Sequence, residues 1–288
     1  MDGIIVVNKP KGCTSHDIVY KVKKITNSKV GHTGTLDPMA TGVLPLLIGK
    51  GTLCSKYLIN HDKIYQAKIQ LGQKTDTADA EGEVIEEKIV PDEIFQNGEV
   101  EKKLATFIGK QEQVPPMYSA IKVNGKKLYE YARKGQTVEI QPRQIEIYDI
   151  KLMELDNKNK QLQFQVSCSK GTYIRSLCED IAKRLGTVGY MCELNRVQVG
   201  DFNISNSVTV EELQENADAV NRHLISLERL FENKSSINLN SRKLQLFLNG
   251  VQLTVQDIDG VYRVYSDNEF VGVGVVNNGL LKRDIVVF

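Results

Sequence analysis

Gly31-His32-Thr33-Gly34-Thr35-Leu36-Asp37-Pro38-Met39-Ala40-Thr41-Gly42-Val43-Leu44-Pro45 packs three glycines, two prolines, three threonines and one carboxylate into fifteen residues. Regular helices and strands disfavour that mixture. Glycine permits backbone angles that other residues avoid, and Pro38 fixes its own φ while pushing Asp37 toward an extended conformation. The stretch reads as a rigid, irregular loop that presents one acid, Asp37. Loops of this kind carry function when a scaffold holds them. Loop composition alone also fits a surface loop with an acidic cap residue.

Working outward, the segments on either side alternate without a βαβ rhythm. Ile4–Val7 reads as a short strand, and Ser15 as the cap of a helix with Ile18, Val19, Val22 and Ile25 on one face. Tyr65 to Leu71 alternates as a strand, Glu83 to Val90 is another, and Val100 to Ile108 reads as a helix. Lys127 to Arg133 fits a short helix. Gln144 to Leu155 and Gln161 to Cys168 pair across Asp156-Asn157-Lys158-Asn159. Thr172 to Leu185 is a helix with Ile174, Leu177, Ile181 and Leu185 inward, stopped at Gly186, and Val188 to Val199 returns as a strand. Short connections between successive strands predict an α+β fold, a mostly antiparallel mixed sheet with flanking helices.

Near residue 232 the character changes. Asn233-Lys234-Ser235-Ser236 is polar, a helix spans Ser241 to Leu248, and three short strands follow at Gly260–Ser266, Glu269–Val276 and Leu280–Phe288. Asn277-Asn278-Gly279 marks a hairpin between the last two. The expected division is 1–232 and a small β-rich unit at 233–288.

Composition sets the bounds. The chain has 288 residues, 41% of them hydrophobic, which suffices for one large domain or two. No apolar run reaches membrane-spanning length. The run Ile4 to Val7 is too short for a signal peptide, so a cytoplasmic location is expected. Cysteines at 13, 54, 168, 178 and 192 form no Cys-x-x-Cys pair and read as reduced thiols. Histidines at 16, 32, 61 and 223 share no metal-ligand spacing with them, so neither a metal nor another cofactor is expected. Net charge is only +1, yet residues 1–29 hold six lysines against Asp2 and Asp17, and residues 117–143 hold six cations against Glu130 and Glu139, a net of +4 each. Residues 81–103 and 201–232 are acidic. Two basic segments on one face would suit a polyanion, whereas each alone fits a solvated charged face.

The Gly-His-Thr-Gly-Thr-Leu-Asp-Pro order closely resembles the catalytic segment of the TruB family of tRNA pseudouridine synthases. Further matches follow in order: Asn8-Lys9-Pro10-Lys11-Gly12, Lys63-Ile64-Tyr65, Thr75-Asp76-Thr77-Ala78-Asp79-Ala80-Glu81-Gly82, Gly171-Thr172-Tyr173-Ile174-Arg175-Ser176-Leu177, and Leu194-Asn195-Arg196-Val197-Gln198-Val199-Gly200. The resemblance covers about residues 1 to 230. It implies the pseudouridine synthase fold, an α+β sheet split by the active-site cleft. It implies isomerisation of the T-loop uridine at position 55 of tRNA, with the T-arm stem-loop as partner, base flipping, and no obligate protein partner. Asp37 would be the essential acid, Arg175 the cation that keeps it ionised, and Tyr65 and Tyr173 the aromatic walls of a uracil pocket. His32 would position RNA. Lys9 would contact phosphate or buttress the Asp37 loop. Asp79 would organise the pocket or form a turn, and Leu194 would line the pocket's apolar end or serve the core. Residues 113–150 correspond to the family's mobile thumb, with Pro115-Pro116, Gly125 and Gly135 as hinges. The unit at 233–288 resembles a reduced PUA-type RNA-binding domain.

Pseudouridine formation breaks a C–N glycosidic bond, turns the base and makes a C–C bond, with no redox change. A carboxylate serves it as a nucleophile at C1′ or, in an older proposal, at C6 of the base. It also serves by stabilising an oxocarbenium-like ribose and assisting loss of the C2′ proton. Two other classes remain open on sequence: an RNA-folding module without chemistry, against which Asp37, Tyr65 and Arg175 together argue, and a hydrolase using Asp37 and His32, which lacks a metal or nucleophile motif.

Overall fold

The computed structural model describes all residues except Asn97, Asn216 and Phe288. The amino-terminal part runs β1 (Gly3–Lys9), α1 (Ser15–Thr26), β2 (Val30–His32), β3 (Thr41–Ile48), α2 (Ser55–Leu58), β4 (Lys63–Leu71), β5 (Gln73–Thr75), β6 (Val84–Glu87) and α3 (Glu99–Ala105). Next come β7 (Gly109–Gln113), β8 (Lys122–Val123), β9 (Lys126–Lys127), α4 (Leu128–Ala132), β10 (Arg143–Asp156), β11 (Gln161–Cys168), α5 (Ile174–Arg184), β12 (Gly189–Val199) and β13 (Phe202–Asn203). The chain closes with α6 (Val210–Glu215), α7 (Ala217–His223), α8 (Leu227–Leu230), β14 (Ser236–Asn238), α9 (Ser241–Leu248), β15 (Leu253–Thr254), β16 (Gly260–Ser266), β17 (Glu269–Asn277) and β18 (Leu280–Val286).

Among the described residues the first thirteen strands supply a nine-stranded sheet in the order β1-β3-β12-β4-β11-β10-β7, with β2 on β3 and β13 on β12. β3 and β12 run parallel where Thr41 and Gly42 meet Asn195 and Arg196, and the other ladders are antiparallel. The expected mixed α+β architecture is therefore present. One half of the sheet buries Ile69, Leu162, Phe164 and Val166 against Leu177 and Ile181 of α5 and Leu104 of α3. The other half buries Ile5, Val7, Leu44 and Leu46 against Ile18 and Val22 of α1 and Leu213 of α6. α5 behaves as its 3.6-residue pattern predicts: Ile174, Leu177, Ile181 and Leu185 are all buried, and Gly186 leaves the helix at φ +88°.

The Asp37 stretch is shorter as a loop than its composition suggests. Gly31 and His32 belong to β2, and Thr41 to Pro45 belong to β3, so the irregular part is residues 33–40. Tertiary pairing overrides the local preference. Opposite Pro45, Val6 gives its carbonyl to the Val208 N–H, so the proline's missing N–H interrupts no ladder bond there. Gly42 sits at φ +106°, with the Arg196 carbonyl and Asn195 Oδ1 where a side chain would begin. Gly42→Ala should therefore cost roughly 3 kcal/mol or more of stability through strain and overlap. A denaturant melt that leaves this variant within 1 kcal/mol (roughly the limit for an unconstrained site) of the parent would contradict that geometry.

The α1 cap also differs from expectation. Thr14, not Ser15, caps the helix, in a capping box with Asp17. Ser15 faces inward instead, and its hydroxyl brackets Leu36, accepting from its N–H at 2.8 Å and lying 3.2 Å from its carbonyl.

The segment between β7 and β10, residues 114–142, leaves the sheet and carries the β8–β9 hairpin and α4. The expected insertion at 113–150 thus includes residues 143–150 of β10, all of which but Tyr148 pair with β7 or β11. Asn124 and Gly125, both at positive φ, form the two-residue turn of the β8–β9 hairpin, so Gly125 closes a tight turn.

Residues 236–286 form a second sheet, five-stranded among the described residues, in the order β14-β16-β17-β18-β15. Ser236, the end of the polar stretch 233–236, begins β14, which runs parallel to β16. This unit has its own core around Phe247, Val264, Val271 and Leu281. It also shares a core with the large sheet: Val273 and Ile285 pack in one cluster with Ile4, Val6, Leu58 and Phe231. Asp284 accepts hydrogen bonds from Lys56 and the Tyr57 hydroxyl across the same junction.

Candidate active site

Asp37 stands on a loop pinned from three sides. Its own carbonyl accepts from Ala40 N–H at 3.0 Å, and the Pro38 carbonyl accepts from Gly12 N–H at 2.9 Å. Lys9, 0% exposed, donates its ammonium to the carbonyls of Pro10, Cys13 and Pro38 at 2.9, 2.7 and 3.2 Å. Of the two roles open for Lys9, the geometry is that of the buttress, since a cation spent on three carbonyls inside the protein does not reach a phosphate. Lys9→Met leaves those acceptors unpaired and should lower stability by about 3 kcal/mol. It should leave the salt dependence of RNA binding unchanged, whereas a lost phosphate contact would reduce the slope of log K against log salt by about one.

Arg175, 6% exposed at the start of α5, converges on Asp37 from the other wall. Nε lies 3.1 Å from Oδ2 and Nη2 3.4 Å from Oδ1, a two-point grip that fixes the carboxylate's orientation. The rest of the guanidinium is also occupied: Nη2 donates to the Tyr118 carbonyl at 2.8 Å, and Nη1 lies 3.3 Å from the Thr77 carbonyl and 3.5 Å from Asp79 Oδ2. Asp79 is itself fixed, its Oδ1 accepting from the Thr77 hydroxyl and the Glu81 N–H at 2.7 and 3.1 Å. Asp79 thus sits in a turn and faces Arg175 from behind. Asp37 keeps 34% side-chain exposure. Its partial burial pushes the carboxyl above the ordinary Asp value, Arg175 pulls it back down, and Asp79 opposes that pull.

A cavity of 450 Å³ opens in front of this carboxylate. Tyr65 from β4, Tyr173 from the α5 cap, Leu194 from β12 and the Tyr118 and Tyr129 side of the 114–142 segment wall it. Leu194, 8% exposed, is both core and lining. Tyr173 is held by an amide clamp: Gln113 Nε2 donates to its carbonyl at 3.0 Å, and its N–H donates to Gln113 Oε1 at 2.8 Å. His32 stands outside the lining. Its Nδ1 accepts from Gly34 N–H at 3.3 Å, and burial, followed by the charge of Arg196, makes its ring harder to protonate. The structure thus brings Asp37, Arg175, Tyr65, Tyr173 and Leu194 to one cavity, with Lys9 and Asp79 behind the wall.

Three contributors escaped the reading of the sequence. Gln113 ends β7 and Tyr118 lies in the loop after it, and neither carries a local signal of what it touches. Arg196 lies inside a quoted motif, but an arginine on a strand reads as surface charge until its burial is known. It is 1% exposed, and it spans the Asp37 loop by donating to Gly34 and Val43 carbonyls at 3.0 and 2.8 Å.

Family models match this framework from residue 22 onward. Residues 22–174 match the TruB family pseudouridylate synthase N-terminal domain, 175–232 the tRNA pseudouridylate synthase B C-terminal domain, and 235–285 the pseudouridine synthase II TruB C-terminal model. The chain belongs to the TruB family. A relative called tRNA pseudouridine synthase B from Clostridium novyi is 44% identical over 290 residues, covering 98% of each chain. The protein of that name from Oceanobacillus iheyensis is 45% identical over 264 residues, covering 89% of this chain and 85% of its own. Among solved structures, the crystal structure of a Cbf5-Nop10-Gar1 complex aligns with a TM-score of 0.70 at 24% identity, over 98% of this chain and 83% of that one, a likeness of fold. All five cysteines are free, and among the described residues no helix is long and apolar enough to cross a membrane.

Proposed function

We propose that the chain converts uridine to pseudouridine at position 55 in the T-loop of tRNA, with Asp37 as the catalytic residue and the target base flipped into the 450 Å³ cavity. The observation that carries this reading is one ionisable acid, gripped at two points by Arg175, facing a cavity of nucleoside size with aromatic walls. Unstacking the target costs a few kcal/mol, which basic residues at 1–29 and in the 114–142 segment offset by contacting phosphates. Tyr65 stacks on the uracil, and Tyr173 and Leu194 confine it while the glycosidic bond is open. His32, at the end of β2, supports the RNA loop after the base has left.

Asp37 acts ionised, either attacking C1′ or stabilising the electron-deficient ribose while the C2′ proton leaves. The released base turns and its C5 bonds to C1′. Residues 1–232 carry the chemistry, with 114–142 as an RNA-binding insertion, and the unit at 233–288 is a PUA-like contributor to tRNA binding. No metal or nucleotide takes part, and a cytoplasmic location goes with the substrate.

Tritium release from 5-tritiated uridine in a T-arm stem-loop tests this reading, with full-length tRNA carrying a cytidine at position 55 as control. Release from the uridine RNA alone, undiminished in excess EDTA once the RNA is pre-folded, is expected; no release from either RNA would refute it.

The pH profile is a second check. Asp37 must be ionised, and its folded value is raised, so the rate should fall as pH drops through a point above the ordinary Asp value. Arg175 is the largest influence holding that value down. Arg175→Gln should therefore shift the acid limb to higher pH and lower the neutral-pH rate by about 10- to 100-fold. An acid limb that stays in place would separate Arg175 from the ionisation of Asp37.

A further inference from the structure

We infer that Arg196 is a positioning residue for the reaction, holding the Tyr65 hydroxyl as a hydrogen-bond acceptor so that the phenol's own O–H points into the cavity and donates to the detached base. The inference rests on the cavity being the uridine site.

Arg196 is the largest of the fully buried side chains among the described residues. Among the described residues no carboxylate lies within ion-pair distance of it, in contrast to Arg175, which meets two. A buried guanidinium without a counter-charge is costly, and an apolar side chain of similar volume would pack more cheaply. Bracing the loop accounts for part of it, since Nε donates to the Val43 carbonyl and Nη2 to the Gly34 carbonyl. The same side chain lines the cavity beside Tyr65, its partner across the β12–β4 ladder, and this shared wall is the geometry on which the inference stands.

A guanidinium has donors and no acceptor. The phenol oxygen opposite it therefore accepts, and the phenol proton is turned away from the arginine. The phenol stands at the cavity wall with Asp37 and Leu194, so the proton it does not share with the arginine is available to a base held there. When the glycosidic bond opens, the uracil leaves with the bonding electron pair, and its negative charge spreads over N1, O2 and O4. A neutral phenol O–H fixed toward that charge stabilises it more than one free to rotate, and the cation behind the phenol makes it a stronger donor. No proton need change hands in this step.

The charges around Tyr65 agree with the arrangement. Burial raises the phenol's affinity for its proton, which keeps it a donor at neutral pH. Arg196 from β12 pulls the other way and is the leading opposing influence, while Cys168 from β11 and Asp37 from the loop raise the affinity further; Lys63 is the charged neighbour on β4 itself. The same cation makes His32, Lys63 and Lys9 harder to protonate, so its field spans this wall.

The test combines kinetics with a probe that needs no substrate. Arg196→Gln should slow single-turnover pseudouridine formation at saturating RNA by about thirtyfold, with the RNA dissociation constant within about threefold, and Arg196→Lys should recover part of the rate. In a Tyr65→Phe background the Gln change should cost no more than about threefold further. In full-length protein carrying 3-fluorotyrosine at position 65, the fluorine-19 resonance should titrate at higher pH with Gln than with Arg, and in between with Lys. Equal rate losses in both backgrounds, or one titration midpoint for Arg and Gln, would overturn the inference and leave Arg196 a loop brace. Should the Gln variant melt below the assay temperature, Arg196→Lys carries both comparisons, because one ammonium cannot serve two carbonyls and the phenol in the same geometry. If the intact chain forms no pseudouridine in any uridine RNA, the proposed function fails; the fluorine titration still decides what Arg196 does to Tyr65.

Discussion

Asp37→Asn should lower the single-turnover rate of pseudouridine formation by about 10³-fold or more, equivalent to roughly 4 kcal/mol of barrier. The substitution keeps the side chain's shape and removes both its charge and its nucleophilic oxygen pair. The loop should survive it, because its anchors are the Lys9 ammonium, the Ser15 hydroxyl and the Gly12 N–H, none of which touches the carboxylate. Arg175 should also stay in place, still bound to the Tyr118 and Thr77 carbonyls and facing Asp79. RNA affinity is therefore expected within about tenfold of the parent, or about 1.4 kcal/mol, and a modest gain is reasonable since an anion has been removed from a polyanion site. Carbodiimide mapping of the product RNA would read the chemistry, and a filter-binding titration the affinity. A variant retaining a tenth or more of the parent rate would remove Asp37 from the centre of the reaction, whatever the motif around it suggests. A variant that loses affinity and rate together would mean that the loop had collapsed and would return the question to Lys9 and Ser15.

Much of this site was legible in the sequence for a definite reason. Asp37, Tyr65, Tyr173 and Arg175 sit in short continuous motifs, and those motifs coincide with places where the backbone changes element: the β2–β3 loop, the β4 strand and the start of α5. α5 was legible because a 3.6-residue apolar period has few competing explanations at that length. Other features depend on contacts distant in sequence. Thr41 to Pro45 reads as a loop from its Gly and Pro content but becomes β3 because β1 and β12 flank it. Ser15 looks like a cap by type, yet the neighbouring Thr14 captures that role and frees Ser15 to hold Leu36. Gln113 and Arg196 could not be assigned roles because their value lies in burial, which composition does not report. β14 was missed since its pairing with β16 is parallel and non-local.

The expected division near residue 232 bears on the second large effect. If the unit at 233–288 served only to hold tRNA, its removal would weaken binding and leave the folded catalytic part intact. The packing argues for a further role. Val273 and Ile285 are 0% and 1% exposed, and they bury themselves against Ile4, Val6, Leu58 and Phe231 of the larger part. Fully burying one such side chain is worth about 1.5–3 kcal/mol; the shared cluster buries Val273 and Ile285 from the smaller unit, with Val261, Phe270 and Val287 partly buried beside them, against many from the larger part. Loss of the cluster would take away an amount comparable with the whole stability of a domain, about 5–15 kcal/mol. Asp284, with its bonds from Lys56 and Tyr57, closes the junction's polar edge. A chain ending at residue 232 is therefore expected to lose its cooperative melting transition, and its single-turnover rate on an isolated T-arm should fall with it. Ile285→Asp in the full chain is the milder companion: it places a charge in the shared cluster without deleting any RNA-facing surface. It should lower the melting temperature by several degrees, since each kcal/mol lost corresponds to about 2–4 °C for a domain of 150–250 residues, while T-arm affinity measured below the transition stays near the parent's. A truncated chain that melts like the parent, and loses affinity for full tRNA alone, would show that the two sheets are neighbours without being one folding unit.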